Sequence, residues 1–360
     1  ITTPTGRRVM SNTNLHILDG PEAWHGDDLA LDDRWRFHLN EADLVEIDAA
    51  VSAVRDAGKI WSDMTSKADF PLPGLAGKLS QIANELENGC GLVNLKGLAV
   101  DAYSNADLNR IWYGICLNLG APIYQNYRGE LLRDIVDERQ DTDAVNNNRL
   151  FAKDGSVFHS SRARTASSGP LHFHTDRADA VGLLCVQQAE MGGVSQLASS
   201  VRVNNEIATR RPDLAELLYG VIHRSRHGEE KDGSQKTYGI PVFAVRDGKF
   251  TSHYSRTYVE AAQELDDVPR MSDEQWEALD LLANVAAEVC MEMRLERGDM
   301  QLLNNHVIYH ARTAFVDGSA RRCLKRIWLS MPNSRALPAD QAILWRDVEA
   351  GALRGGIVQA

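Results

Sequence analysis

The run ARRCLKRIWLSM, residues 320–331, constrains this chain more than any other segment. Alternation along a strand sets Arg322, Leu324, Arg326 and Trp328 on one face, and Cys323, Lys325, Ile327 and Leu329 on the other. So apolar a segment predicts a strand inside a sheet. A guanidinium buried there needs a partner, because an uncompensated charge in the interior is costly. Two kinds of partner satisfy it. One is a carboxylate of the protein. The other is the carboxylate of a bound ligand, which the paired donors of arginine grip bidentately.

The rest of the chain reads as helices followed by strands. Asn40 opens NEAD, with an acid three residues on, and Leu44, Ile47, Val51 and Val54 follow helical spacing. Helices are also expected at 78–88 and 104–118, with a strand at CGLVNL between them. Residues 121–168 are rich in charge and turn formers, including DERQDTDAVNNNR and SSRARTASSG, and read as a long functional loop. From residue 180 onward, short strand-like runs alternate with turns. GLLCVQQA reads as a strand, GIPVFAVRDGKFTSHYS as a hairpin turning at Asp247-Gly248, and MRLERGDMQLLNN as strand–turn–strand. MSDEQWEALDLLANVAAEV is a helix capped at Ser272. This order predicts an α+β protein, mainly β, with no dinucleotide-binding glycine fingerprint.

The polar loop leads into GPLHFHTDRAD, residues 169–179. His174 and Asp176 lie two apart, on one strand face, and can reach one ion together. His172 shares their parity but reads as a packing neighbour. Two histidines and one carboxylate would leave open positions on a divalent metal, the arrangement of non-haem Fe(II) oxygenases. His310 in NNHVIYHART is the best third ligand by sequence, with His306 as its competitor.

Composition narrows the alternatives. A formal net charge of -11 excludes general attraction to nucleic acid or an anionic membrane, and no apolar run is long enough to span a bilayer. The five cysteines, Cys90, Cys116, Cys185, Cys290 and Cys323, form no CxxC pair, so neither a zinc–thiolate site nor a disulfide framework is expected. A cytoplasmic location follows as the simplest expectation.

Several pieces together resemble the taurine dioxygenase/2,4-D dioxygenase (TauD/TfdA-like) family. They are FHTD at 173–176, GGVS at 192–195, GD at 298–299, NNHVIYH at 304–310 and RRCLKR at 321–326, in the family's order, over about residues 80–332. The resemblance implies a double-stranded β-helix, a cupin-like jelly roll, with flanking helices. It implies Fe(II) held by His174, Asp176 and His310, with 2-oxoglutarate and O2 as cosubstrates. Arg322 matches the arginine that grips the distal carboxylate of 2-oxoglutarate. Ser195 stands where the family usually has threonine. Arg326 matches a second arginine facing substrate or cosubstrate. The implied reaction is oxidative decarboxylation of 2-oxoglutarate to succinate and CO2, coupled to hydroxylation of a small organic acid. Asn304, Asn305 and His306 replace the family's frequent Asp-Asn-Arg, which weakens transfer of any particular substrate. Asp176 retains the acid that related halogenases lack.

Residues 1–40 are expected to form an arm or a wall of the site, and 41–360 a single catalytic domain. Arg162, Arg164, Tyr254 and Arg256 are candidate substrate contacts, each with a solvated or packing role as the alternative. Trp24, Trp112 and Trp276 read as hydrophobic anchors. Two rival functions keep parts of this constellation: a zinc hydrolase of a small anion, and a non-catalytic jelly roll that senses one. Self-association is compatible with the sequence, which does not count subunits.

Overall fold

The computed structural model describes residues 17–138, 150–151, 157–158, 167–226 and 235–357. Two sheets carry the architecture. The larger has seven strands, in the order Arg36–His38, Leu92–Lys96, Met300–Asn304, Ala180–Gln187, Cys323–Ser330 and Ala121–Ile123, with Leu132–Ile135 also paired to Cys323–Ser330. The smaller has four, in the order Met291–Met293, Ser195–Ser199, Ile308–Arg312 and Leu171–His174. Pairing is antiparallel throughout both, except where Arg36–His38 lies parallel to Leu92–Lys96. This is the jelly-roll arrangement, mainly β and decorated by helices.

The segment 323–330 is the strand its pattern predicts, paired along its length with Ala180–Gln187. One face of the large sheet packs on the helices Glu41–Asp56, Ala76–Asn88 and Asn105–Leu119. There Ile47, Leu79, Ile111 and Trp112 meet Leu302, Ile327 and Leu329. Gly182 makes this approach feasible, since a Cβ there would lie 2.7 Å from the Trp112 ring. The Asn40–Asp43 capping box starts the first of these helices as its sequence demands. The helix Asp273–Val289, with its Ser272–Gln275 capping box, packs with Ser200–Arg210 over the small sheet. The hairpin turns at Asp247 and Gly248, both at positive φ.

Three regions differ from the sequence pattern. Inside the expected loop 121–168, Ala121–Ile123 and Leu132–Ile135 are strands. Both border Cys323–Ser330, and pairing with so apolar a neighbour overrides their own polar pattern. Helices also occupy Ser200–Arg210, Pro212–Leu218 and Arg256–Gln263, where only strand-like runs and turns are legible. Residues 17–40 supply the edge strand Arg36–His38 and bury Trp24, Leu29 and Trp35 in the core. None of them lines the clefts described below.

Beyond the last strand, the chain folds back over the sheet ends. Arg354 Nε donates to Asp179 Oδ1 at 2.8 Å, and Arg354 Nη2 to the Arg335 carbonyl at 2.7 Å. Asp179 also meets His306 Nε2 at 2.8 Å and accepts from the Met331 amide at 2.9 Å. All of these groups are buried.

Candidate active site

His174 ends the strand Leu171–His174, and His310 sits directly across from it on Ile308–Arg312. The two rings are 4.2 Å apart between centroids. Asp176 follows two residues beyond the strand end and turns back between them. Its Oδ1 is 3.7 Å from His174 Nε2, and its Oδ2 is 3.7 Å from His310 Nε2. One ligand atom from each residue falls within 4.8 Å of the other two, the one such grouping among the described residues.

The donor set suits a divalent metal. His174 Nδ1 is 2.8 Å from the His172 carbonyl, so it must donate there, which leaves the Nε2 lone pair facing Asp176. Burial, and then the neighbouring His310, push His174 down to about 4, so the ring is neutral near pH 7. Burial opposes the charge of Asp176, but His310 and Arg326 outweigh it and hold the carboxyl well below its ordinary range. Trp328 Nε1 donates to Asp176 Oδ2 at 2.9 Å, and the Asp176 amide donates to Asn305 Oδ1 at 3.0 Å. Trp328 therefore fixes the carboxylate, and Asn305 fixes the backbone that carries it. His306, the alternative third ligand, is engaged elsewhere with Asp179 and, at 2.9 Å, with Thr251 Oγ1.

Two clefts meet at this cluster. The inner one lies between the sheets and is lined by Val181, Leu183, Leu197 and Leu324, with Ser195, Gln301, Arg312 and Arg322 as its polar groups. Arg322 is 4% exposed, its Nη1 is buried with no hydrogen-bond partner, and burial lowers its pKa. Its guanidinium lies 5.0 Å over the Phe315 ring. Gly193, at φ +69°, permits this placement, since a Cβ there would be 3.0 Å from Arg322 Nε. A buried guanidinium with an unanswered donor, in a cleft that reaches the triad, fits a carboxylate. Arg312 shares the Phe315 ring at 4.8 Å and donates to the Ser167 and Gly169 carbonyls at 2.7 and 2.5 Å. Burial and Arg322 push it down to about 10.

The outer cleft opens on the other side of His174 and Asp176. Gln125, Arg133, Arg177, Tyr238, His253, Ser255, Tyr258, Trp328 and Ile357 contribute to its wall. Arg326 lines both clefts, with its Nε donating to Gln125 Oε1 at 2.7 Å.

The sequence candidates thus divide. His174, Asp176, Ser195, His310, Arg322 and Arg326 converge. Tyr254 and Arg256 do not line either cleft. Tyr254 is 2% exposed and meets the Tyr309 ring edge-to-face at 5.6 Å, while Arg256 is tied to Glu260 at 2.9 Å and Asp280 at 2.7 Å and covers Trp276. Burial of one and local pairing of the other account for both. Arg162 and Arg164 lie outside the described residues. Trp24 and Trp112 are buried, as anchors should be, whereas Trp276 is half-buried beneath Arg256. Cys185 is core, with burial raising its thiol to about 12. Sequence reasoning passed over Arg177, Gln301, Asn305 and Arg312. Arg312 shares strand parity with His310, and Arg177 adjoins Asp176, so both lay one step from motifs already marked.

Two histidines and an aspartate at one end of a pair of facing sheets place this protein among the non-haem iron(II)/2-oxoglutarate oxygenases. The chain belongs to the Taurine catabolism dioxygenase TauD, TfdA family, whose family model matches residues 58–328. It is 28% identical over 335 residues to FR-33289 synthase of Streptomyces rubellomurinus (strain ATCC 31215), covering 90% of this chain and 93% of that one. It is 27% identical over 338 residues to the taurine hydroxylase-like protein SAT17 of Stachybotrys chartarum (strain CBS 109288 / IBT 7711), covering 91% and 81%. Its fold resembles asparagine oxygenase (AsnO), with a TM-score of 0.58, 17% identity, and coverage of 89% of this chain and 99% of that one. It also resembles the non-heme iron oxygenase OrfP, solved with Fe and alpha-ketoglutaric acid, with a TM-score of 0.55, 15% identity, and coverage of 88% and 99%. No helix among the described residues is long and apolar enough to cross a membrane.

Proposed function

We infer that this enzyme couples oxidative decarboxylation of 2-oxoglutarate to hydroxylation of an unactivated C–H bond in a small, anionic organic substrate. The observation that carries this is the pairing of two clefts at one His/Asp/His cluster, with an unanswered buried guanidinium in the inner one. His174, Asp176 and His310 would hold Fe(II), which when bound supplies the redox chemistry with O2.

The chain's own residues do the rest. Arg322 receives the far carboxylate of 2-oxoglutarate, with Ser195 on the same wall. Val181, Leu183, Leu197 and Leu324 keep water from that cleft, which strengthens the ion pair inside it. Trp328 and Asn305 keep Asp176 in one orientation. Arg326 stands at the junction, where it can orient the substrate anion against the reacting centre. The catalytic domain is residues 41–360, with 1–40 as an N-terminal arm whose described part, 17–40, packs into the same core.

The test is an anaerobic titration of the Fe(II)-loaded protein with 2-oxoglutarate, followed through the weak visible band of an iron–keto-acid chelate. The expected result is a saturable band, absent in His174→Ala and sharply right-shifted in Arg322→Ala. Stoichiometric iron with no band at any 2-oxoglutarate concentration would overturn the reading. A metal-dependent hydrolysis found in its place would favour a zinc hydrolase.

A further inference from the structure

Arg177 has no part in holding metal or cosubstrate, yet it lines the outer cleft immediately after Asp176. Its Nε is buried with no hydrogen-bond partner, and its guanidinium is paired with no acid of the described residues. Its backbone is held from the other side of the wall, where the Gly356 amide donates to the Arg177 carbonyl at 2.7 Å. Arg326 is the second such group. Its Nε meets only the neutral amide of Gln125, and the leading favourable charge near it is Asp176.

The other cations of this wall are already answered. Arg133 Nη2 is 2.9 Å from Glu138, its Nε is 4.0 Å from Glu130, and both acids line a separate cleft. Arg226 donates to the Ile343 carbonyl at 2.8 Å and lies over Tyr238. Asp176 is the one carboxylate on the wall among the described residues. A metal dication and Arg322 offset Asp176 and both carboxylates of 2-oxoglutarate. Arg177 and Arg326 are the cations of this wall whose guanidinium groups meet neither an acid nor a main-chain carbonyl of the described residues, so both are free to face an anion in the substrate space. A free amino acid would bring an ammonium group to this wall, with no spare carboxylate to receive it.

We propose that Arg177 acts with Arg326 to bind a substrate that carries two negative charges and no amine. This deepens the oxygenase reading and rests on it. The two charges sit either on one head group, as in an alkylphosphonate or alkyl monophosphate, or at the two ends of a dicarboxylate.

The experiment uses the anaerobic Fe(II)/2-oxoglutarate protein. Perturbation of the chelate band is titrated with propylphosphonate, propyl phosphate, glutarate, butyrate, L-asparagine and L-arginine. The expected result is saturable perturbation by at least one dianion, with butyrate and both amino acids at least 10-fold weaker. Arg177→Gln should weaken the dianion about 10- to 100-fold, as loss of a charge-assisted contact does. Arg177→Lys should recover part of it, and 2-oxoglutarate affinity should stay within two-fold in both variants. A phosphonate preferred over glutarate places both charges on one head, and the reverse places them at two ends. Tighter binding of either amino acid than of every dianion would overturn the proposal. So would dianion binding indifferent to Arg177→Gln. In both cases the intact chelate band leaves the oxygenase reading standing, whereas loss of the band in wild type removes that reading first.

Discussion

The inner and outer clefts share His174, Asp176 and Arg326, yet they are built by different means. The inner cleft is made almost wholly of strand residues from the two facing sheets, Val181, Leu183, Ser195, Leu197, Gln301, His310, Arg312 and Leu324, with Arg322 immediately before the strand Cys323–Ser330. Its positions are fixed by ladder register, so each side chain enters at a place that period-two alternation dictates. The outer cleft draws on segments between elements and on the returning tail. Gln125, Asn126, Thr175, Arg177, His253, Ser255 and Ile357 all lie outside the strands that form the two sheets. The difference separates an invariant task from a variable one. On the proposed assignment, regular strands would hold the reagent common to the class, leaving irregular segments to shape the space for a particular substrate.

Substitutions can break or sharpen that contrast. The largest effect is expected at the proposed metal ligands. His310→Ala should abolish succinate release and tight Fe(II) binding together, and near-wild-type turnover in this variant would remove His310 from the ligand set. Next comes the inner cleft, where Arg322→Gln should raise the dissociation constant for 2-oxoglutarate by about 10- to 100-fold, measured on the anaerobic chelate. Trp328→Phe keeps an aromatic ring but removes the pyrrole and its 2.9 Å hydrogen bond to Asp176. A Co(II) titration should show metal affinity falling by about 10-fold, the lower end for loss of a group that orients a ligand. Equal affinity would mean that the Asp176 backbone, held by Asn305, places the carboxylate without the indole donor. The smallest effects belong to residues outside both clefts. Arg256→Gln should change the apparent KM for substrate less than two-fold and stability by about 1 kcal/mol or less, since its partners are solvent-exposed. A large KM change there would extend the substrate space beyond the walls described.

The same division explains what the sequence disclosed. The alternation in 322–328 and the His174–Asp176 spacing are local signals, and both describe groups on or next to a strand end that lie in or beside the inner cleft. The setting in NNHVIYHART and the family resemblance favour His310 over His306, but the physical reason is not local: the cross-strand register sets His310 against His174, and Asp179 engages His306. Tyr254 and Arg256 seemed placed for substrate because they follow a hairpin. Turn chemistry says where a chain reverses, but not which way the next side chains face. Arg177 was hidden for the converse reason: its role depends on Gly356 and Ile357, about 180 residues away in sequence. Contacts of that separation leave no periodicity to read. The helices Ser200–Arg210 and Pro212–Leu218 were missed because short helices lean on tertiary packing, here against Asp273–Val289, more than on their own propensity.

The buried clasp of Arg354 on Asp179 has a consequence for the order in which this enzyme becomes competent. Asp179 lies five residues beyond His174 and contacts His306, four residues before His310. The clasp therefore joins both ligand-bearing stretches to a segment made some 45 residues after the second of them. During synthesis the two sheets can pair before residues 345–357 leave the ribosome, but the wall that Ile357 completes cannot form until they do. A nascent chain would pass through a stage with its metal ligands assembled and its substrate chamber unfinished. Capacity to take up iron should then precede capacity to recognise substrate, a separation visible as Fe(II) binding without substrate response in released chains that end at residue 344.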